Sequence, residues 1–453
     1  MREGNLEAPT RHPIDWRAPE YHDEAALFQE MERVFDICHG CRRCVSLCQS
    51  FPNLFDLVDA TDDGEVHGVA KADYWKVVDQ CYLCDLCFMT KCPYTPPHPW
   101  NVDFPHLMLR AKAQKFRRGG LRRGERFLAS TDVHGQFAGI PVVVQAVNAV
   151  NRTRLARRGM DAALGVHPDA WMPQLAPQRF RWGRAMSNPA PAVRDGERTP
   201  GKVAIFATCY VNYNEPGIGE DLLCVLEHNR IPYEIVEREV CCGMPKLELG
   251  DLESVARQKA VNIPVLAAYA RAGYAILSAV PSCTLMFKQE LPLMFPDCAD
   301  TAAVQAAMWD PFEYLVARHK DGLLELDFKQ PLGKVAYHVP CHGRVQKVGR
   351  KTEELLALIG KHVALQLNTV ERCSGHAGTY GVKTPTHPVA MKIGRLVFKA
   401  MARDAPDVIG SDCPMAGHHI AQGLAEAGTP APRVMHPLTM LRTAYGLGRA
   451  DGA

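Results

Sequence analysis

Near the N-terminus, apolar positions recur at helical spacing. In HDEAALFQEMERVFDIC, Leu27, Met31, Val34 and Phe35 fall on one face behind an acidic start, which is the pattern of an amphipathic helix. Further on, Ile140, Val143, Val144, Val147 and Val150 form one stripe of a helix begun by Pro141. From residue 202 the pattern changes. Short unbroken apolar runs (KVAIFA, PYEIVE, YAILSAV) alternate with segments of helical period (GIGEDLLCVLEHNR, LESVARQKAVNIPVLAAYAR). The alternation returns in KVAYHV, KTEELLALIG, HVALQLN, PVAMKIGRLVFKAMARD and DVIGS. Strands alternating with helices predict a parallel sheet with helices on its faces, where ligands gather at the carboxyl ends of strands.

The second pattern is a duplication. KVAIFATC ends at Cys209 and KVAYHVPC at Cys341, 132 residues later. Cys241 in VCCGM and Cys373 in RCSGH are also 132 apart, and Cys283 and Cys413 are 130 apart. Three matched cysteines at offsets of 132, 132 and 130 argue for an internal repeat. In each half the cysteines follow predicted strands, so they converge at one end of a sheet.

Composition narrows the class. With 47% apolar and 23% charged residues the chain is that of a folded protein, and a net charge of +2 argues against a chain-wide nucleic-acid surface. No apolar run is long enough to span a bilayer, and MREGNLEAPTRHPIDW lacks a secretory pattern. A cytoplasmic location is expected, where clustered cysteines are metal ligands rather than disulfides. There are 17.

Cys38, Cys41, Cys44 and Cys48 give C-x2-C-x2-C-x3-C; Cys81, Cys84, Cys87 and Cys92 give C-x2-C-x2-C-x4-C-P. Three closely spaced thiolates suit three corners of a [4Fe–4S] cubane, with the fourth cysteine reaching the other cluster. The expected sets are therefore crossed: Cys38, Cys41, Cys44 and Cys92 for cluster one, and Cys81, Cys84, Cys87 and Cys48 for cluster two. Zinc knuckles pair two C-x2-C units and have no use for this run. The 32 residues from Gln49 to Gln80 exceed what a small ferredoxin needs, so a helical domain is expected.

Cys-Cys-Gly in a tandem repeat resembles the cysteine-rich domains of the heterodisulfide reductase B-subunit. The whole order resembles the C-subunit family of anaerobic glycerol-3-phosphate dehydrogenase, as do CYLCDLCFMTKCPYTPPHPWNVDFPHLMLRAKA, STDVHG and ALGVHPDAWMPQ. The resemblance implies an α/β protein with a helical N-terminal two-cluster ferredoxin-type domain (1–105) and tandem cysteine-rich (CCG) domains (202–330 and 331–453). A basic amphipathic segment (106–184) and a Pro-rich linker (185–201) lie between them.

The complete site of the disulfide-reducing relatives has five thiolates. Here the first half keeps Cys209, Cys241, Cys242 and Cys283, with Met286 at the fifth position; four thiolates suffice for a third cluster. The second half keeps Cys341, Cys373 and Cys413, with Ser374 and Ala416 at the other two positions. It reads as a degenerate half, holding a cluster only if His338, His342 or His376 assists; ordinary hydrogen-bonded histidines are the expectation. Cys224 and Cys298, without repeat partners, are expected to be buried small hydrophobes.

From His106 to Arg158, twelve Lys and Arg face only Glu125 and Asp132. A cationic helix with an apolar stripe either lies in an anionic membrane interface or packs on its own domain or a partner subunit. The resemblance, to a family thought to anchor its dehydrogenase, favours the inner face of the cytoplasmic membrane. No P-loop and no strand-to-helix G-x-G-x-x-G occurs, so neither FAD, NAD nor another nucleotide is expected. The expected function is electron relay from a flavin-containing dehydrogenase subunit to membrane quinone, without an organic-substrate site of its own. A disulfide reductase, or a relay to a soluble acceptor such as a rubrerythrin, are the alternatives.

Overall fold

The computed structural model describes residues 4, 7–189, 191–430 and 432–448. Among them no strand precedes Val203. The helix Glu24–Cys41 is capped by Asp23, which accepts from the Ala26 N–H, and it buries Leu27, Met31, Val34 and Phe35 as its period requires. The helix Phe104–Arg117 buries Phe104, Leu107, Met108, Leu109 and Ala111 in the same core, with the Phe104 ring 4.7 Å from that of Phe51. The expected boundary at 105/106 is therefore misplaced, because this helix belongs with the N-terminal domain.

Two four-stranded, all-parallel sheets follow. In the first, β1 (Val203–Ile205), β2 (Tyr233–Ile235), β3 (Ala275–Leu277) and β4 (Met308–Trp309) stand in the order β2-β1-β3-β4. In the second, β5 (Gly333–His338), β6 (Leu365–Val370), β7 (Val408–Ser411) and β8 (Arg433–Val434) repeat it as β6-β5-β7-β8. Val203 pairs with Tyr233 and Ala275, and Val335 with Leu367 and Val408. This order reverses direction between its two central strands, where a doubly wound sheet opens a crevice. Cys209 and Cys283 follow those strands in the first half, as Cys341 and Cys413 do in the second.

The Pro-rich segment read as a linker is strapped down. Ile235 N–H donates to Met186 O at 2.7 Å, Asn188 bridges Ile231 O and the Tyr233 N–H, and Arg318 holds Arg194 O at 2.6 Å. Its composition is that of a linker, but its backbone groups are paired along the β2 edge.

One apolar core runs through the helical domain and the first half into the second; the outer face of the second sheet has its own, around Phe398, Ile409 and Ile420. The helical domain meets the first half at Gly250 (φ +80), where a Cβ would stand 2.4 Å from Ala113 N. Beside this contact lies a buried ion cluster. Arg11 reaches Asp85 at 2.6 and 2.9 Å, Asp103 at 2.9 Å and Glu290 at 3.6 Å, and His106 stands 3.4 Å from Glu290. Burial penalises every charge, yet His106 and Arg11 hold Asp103 and Glu290 below the usual carboxylate range, while Asp103 and Glu290 hold His106 above the usual histidine range.

Removing one partner from such a cluster leaves uncompensated buried charge, at a cost of about 3–5 kcal/mol. Arg11→Met is expected to lower the unfolding free energy, read by denaturant titration, by that amount; a change below about 1 kcal/mol would show that the cluster is dispensable. The sign with pH is also set. The carboxylates' contribution is present above about pH 4 and is lost as pH falls through their depressed values; that of His106 is full below about pH 6.5 and is lost as pH rises through its elevated value.

Candidate functional site

The helix Glu24–Cys41 delivers Cys38 and Cys41, then stops at Arg42 in the left-handed region (φ 50) so that the chain turns back with Cys44. Cys92 arrives from beyond the second cysteine run and stands beside this trio. Burial and then Cys92, Cys44 and Cys41 push the Cys38 thiol well up; Cys44 is pushed to about 12 by burial and the same Cys92. Cys48 crosses the other way, pushed to about 12 by burial and then by Cys81. Cys87 is surrounded by Cys44 on one side and Cys84, Cys81 and Cys48 on the other, so the two groups abut.

In the first half, all four thiols touch. Cys241 accepts hydrogen bonds from Cys209 and Cys242 and is held well below the usual thiol range, whereas Cys209 and Cys242, as donors, are raised. Cys209 follows Thr208, a β-branched residue at φ 67, which is backbone strain of the kind concentrated at functional sites. Asp132 of the STDVHG segment accepts the Cys241 N–H at 2.9 Å. Gly243 sits at φ +107 with a would-be Cβ 3.3 Å from Met286 Cε, so Met286 packs over the turn.

In the second half Cys341 stands beside Cys373 and Cys413. Burial and then Cys341, Cys373 and Cys48 raise Cys84, so the second ferredoxin-type group reaches this half directly. Tyr82, buried between Cys81 and the repeat, has its hydroxyl 3.1 Å from Cys373 Sγ. Sequence reasoning missed Tyr82; its only signal was adjacency to Cys81. His338 is hydrogen-bonded at both nitrogens, to Ser411 at 3.1 Å and Arg372 O at 2.8 Å, and His342 sits by Leu83, Asp85 and Glu290. His376 is buried and its Nε2 has no partner.

A cavity of about 640 Å³ joins these groups. Cys84, Cys209, Cys242, Cys283, Cys341, Cys373 and Cys413 all line it. Its opposite wall comes from the basic segment: of the valine stripe, Val143, Val147 and Val150 line the cavity, Val144 is buried beside Ala138 and Leu175, and Ile140 is exposed. Most of the stripe thus packs over the protein's own thiols. Arg157, counted among the surface charges, is also buried, holding the carbonyls of His167 and Pro168 at 2.7 and 2.9 Å.

The cysteine-rich domain (CCG) family description matches residues 203–288 and 335–421, the two sheets with their thiol turns. Lactate utilization protein A of Bacillus cytotoxicus is 30% identical over 214 residues, 47% of this chain and 87% of that protein. The chain belongs to the cysteine-rich (CCG) domain family. The match with the C-subunit of anaerobic glycerol-3-phosphate dehydrogenase of Escherichia coli (strain K12) is longer, 27% over 350 residues, covering 76% of this chain and 83% of the relative. The B-subunit of fumarate reductase (CoM/CoB) of Methanothermobacter marburgensis is 26% identical over 251 residues, 55% of this chain and 48% of that one. The CCG protein described here is an iron–sulfur protein similar to that dehydrogenase C-subunit.

Its donor sets fit that chemistry: thiols in fours, with Cys81, Cys241, Cys242 and Cys283 buried and the others half-buried. Among the described residues no three His, Cys, Asp or Glu side chains are arranged to hold a single metal ion; polynuclear clusters instead take ligands at separate iron corners. Two cysteines outside these sets correct an expectation. Cys224 and Cys298 are only half-buried, and against the effect of burial, hydrogen bonds from Thr301 and from Lys259 (3.1 Å) bring Cys298 down to about 7.

Both Cys-Gly turns need glycine. At Gly375 (φ +85) a Cβ would meet Ala390 O at 2.1 Å, whereas Gly428 (φ +71) faces open space. Gly428→Ala is expected to cost only backbone strain, about 1 kcal/mol; Gly375→Ala adds a backbone clash and is expected to cost about 3 kcal/mol or more. Thermal unfolding compares the two, and equal losses would remove the reason given for the glycine.

Proposed function

We propose that this chain is the electron-transfer subunit of a dehydrogenase, taking electrons from a flavin-containing partner and passing them to membrane quinone. Clusters bound at these thiolates would supply one-electron carriers: [4Fe–4S] on Cys38, Cys41, Cys44 and Cys92, another on Cys81, Cys84, Cys87 and Cys48, and a third on Cys209, Cys241, Cys242 and Cys283. One observation carries the reading. The ferredoxin-type group adjoins the repeat: Cys84 lines the same cavity as Cys341 and Cys373, and the Tyr82 hydroxyl stands 3.1 Å from Cys373 Sγ. The relatives' names point to different organic substrates, which suits a shared relay whose substrate is set by the partner.

Disulfide reduction is disfavoured by Met286 and Ala416, which replace the fifth thiolate in both halves. No helix among the described residues is long and apolar enough to cross a membrane. Contact with the inner face of the membrane is supported by Arg122, Arg123, Arg126, Arg152, Arg154 and Arg158, all exposed. Each cation near an anionic surface contributes about 1 kcal/mol before screening.

Anaerobically purified protein is expected to carry about eight iron atoms on the ferredoxin-type sets and about four more on the first half. Cys84→Ser is expected to remove one cubane signal in electron paramagnetic resonance. A preparation that takes up only zinc after anaerobic reconstitution would overturn the reading. Cys242→Ala is expected to abolish electron transfer and Ser374→Ala to be mild. Vesicle flotation tests the membrane step: binding to anionic vesicles that falls with salt supports it, and no binding by the iron-loaded protein favours a soluble acceptor.

A further inference from the structure

Cys298 belongs to neither the ferredoxin-type sets nor the repeat sets. It is the N-cap of the helix Ala299–Ala307, half-buried between the exposed Asp297 and Ala299, so small solutes reach it from solvent. Lys259, from the helix Leu252–Arg271, sets its Nζ 3.1 Å from the sulfur and 4.9 Å from the centre of the Phe295 ring. Asp300, two positions on, gives its carboxylate to Arg271. Against burial, hydrogen bonds from Thr301 and Lys259 bring the thiol down to about 7, so about half of it is thiolate at neutral pH.

A second observation concerns Thr301. Its hydroxyl is turned toward the same sulfur, a weak acceptor. Thr301 is 1% exposed, and no oxygen or nitrogen acceptor meets that hydroxyl. A buried donor so placed calls for an explanation, and a sulfur that carries an oxygen atom supplies one. Cys224, on the helix Pro216–His228, is the contrast. It is also half-buried, but burial and the carboxylates of Glu227 and Asp221 push it up.

We infer that Cys298 and Lys259 are an oxidant-responsive pair that closes into a covalent sulfur–nitrogen bridge when a hydroperoxide is present. The Cys298 thiolate attacks one oxygen of hydrogen peroxide and the O–O bond breaks. The sulfur gives up two electrons and becomes a sulfenic acid, while the departing hydroxide takes a proton from the Lys259 ammonium. The Thr301 hydroxyl donates to the new sulfenic oxygen. The freed amine then attacks the sulfur, the S–O bond breaks, and the oxygen leaves as water with a proton from the nitrogen. Thiolate, ammonium and one peroxide thus give the bridge and two waters. A thiol reductant reopens it by attacking the sulfur and returning the amine.

The bridge fixes a helix that already braces the first-half thiol turn. Near Lys259 on that helix, Gln258 donates to Asp132 at 3.3 Å, and Asn262 accepts the Val240 N–H at 2.9 Å and donates to Cys241 O at 3.2 Å. Oxidation therefore ties the helix Ala299–Ala307 to the element that positions Cys241 and Cys242.

The test treats the anaerobic iron-loaded protein with one equivalent of hydrogen peroxide and maps its peptides by mass without reduction. A peptide joining Lys259 to Cys298 is expected, lighter than its two parts by two hydrogens and resolved by dithiothreitol. Lys259→Arg keeps a cation on the sulfur but offers no condensing amine. Cys298 is then expected to be trapped by dimedone as an unbridged sulfenic acid, with iron content unchanged. At neutral pH, iodoacetamide is expected to alkylate Cys298 about tenfold faster than Cys224. Recovery of Cys298 unlinked to Lys259 from the peroxide-treated unaltered protein would overturn the bridge. Equal alkylation of Cys298 and Cys224 would overturn the activated thiol on which it rests. If Lys259→Arg does not fold, the peptide map of the unaltered protein decides.

Discussion

Arg11 carries its charge into a place that excludes water, where carboxylates from three separate parts of the chain meet it. Asp85 lies inside the second cysteine run, Asp103 caps the helix Phe104–Arg117, and Glu290 belongs to the first half of the repeat. No smaller assembly satisfies these charges: without the helical domain Glu290 loses both Arg11 and His106, and without the repeat Arg11 loses one of its three carboxylates. The cluster therefore fixes how the loop from Cys81 to Cys87 sits against the repeat. The approach of Cys84 to Cys341 and Cys373 depends on that loop. Buried ion clusters seldom add much net stability, but they penalise alternative dockings heavily. A relay, whose steps depend on fixed separations, has use for that.

The two halves share a sheet order and differ in what the sheets present. In the first, four thiols form a hydrogen-bonded group anchored by Asp132 and closed over by Met286. In the second, Ser374 replaces a thiol, His338 is occupied by Ser411 and Arg372, and Tyr82 comes in from the helical domain to Cys373. Sequence alone makes the second half a degenerate copy. Its position tells against inertness, since Cys341 and Cys373 stand beside Cys84 and line the same cavity as the first-half cysteines. A half that has lost a ligand can still set the spacing through which the other is reached.

What was readable in the chain was what depends on local period or fixed spacing. Helix Leu252–Arg271 and strands β1, β2, β3 and β5 to β7 follow from runs of apolar residues, and the cysteine offsets reveal the repeat. β4 and β8 are two residues long, at sheet edges, too short for any period to register. The Pro-rich stretch 185–201 has a linker's composition, and only its pairing with β2 reveals it as a strap. Arg11 could not be read as an anchor because its partners lie 74 to 279 positions away. Cys298 resembled a buried hydrophobe until Lys259, a helix away, was found on its sulfur.

The valine stripe shows most sharply where sequence reading stops. An apolar face flanked by arginines satisfies a bilayer surface and a protein cavity equally well, because both are low-dielectric and both tolerate cations only at the edge. Three of the valines line the cavity, and Arg157 turns inward to cap carbonyls. Yet the exposed residues left over, Ile140, Val142 and Leu155 with the arginines beside them, keep the character of an interface. The segment thus presents apolar surface on two sides, one toward the thiols and one toward the outside. A helix that only sealed the core would leave its outer side polar, and one that only anchored the protein would have no reason to line a cavity with valine. The segment is therefore both the wall of the cavity and an exposed apolar surface.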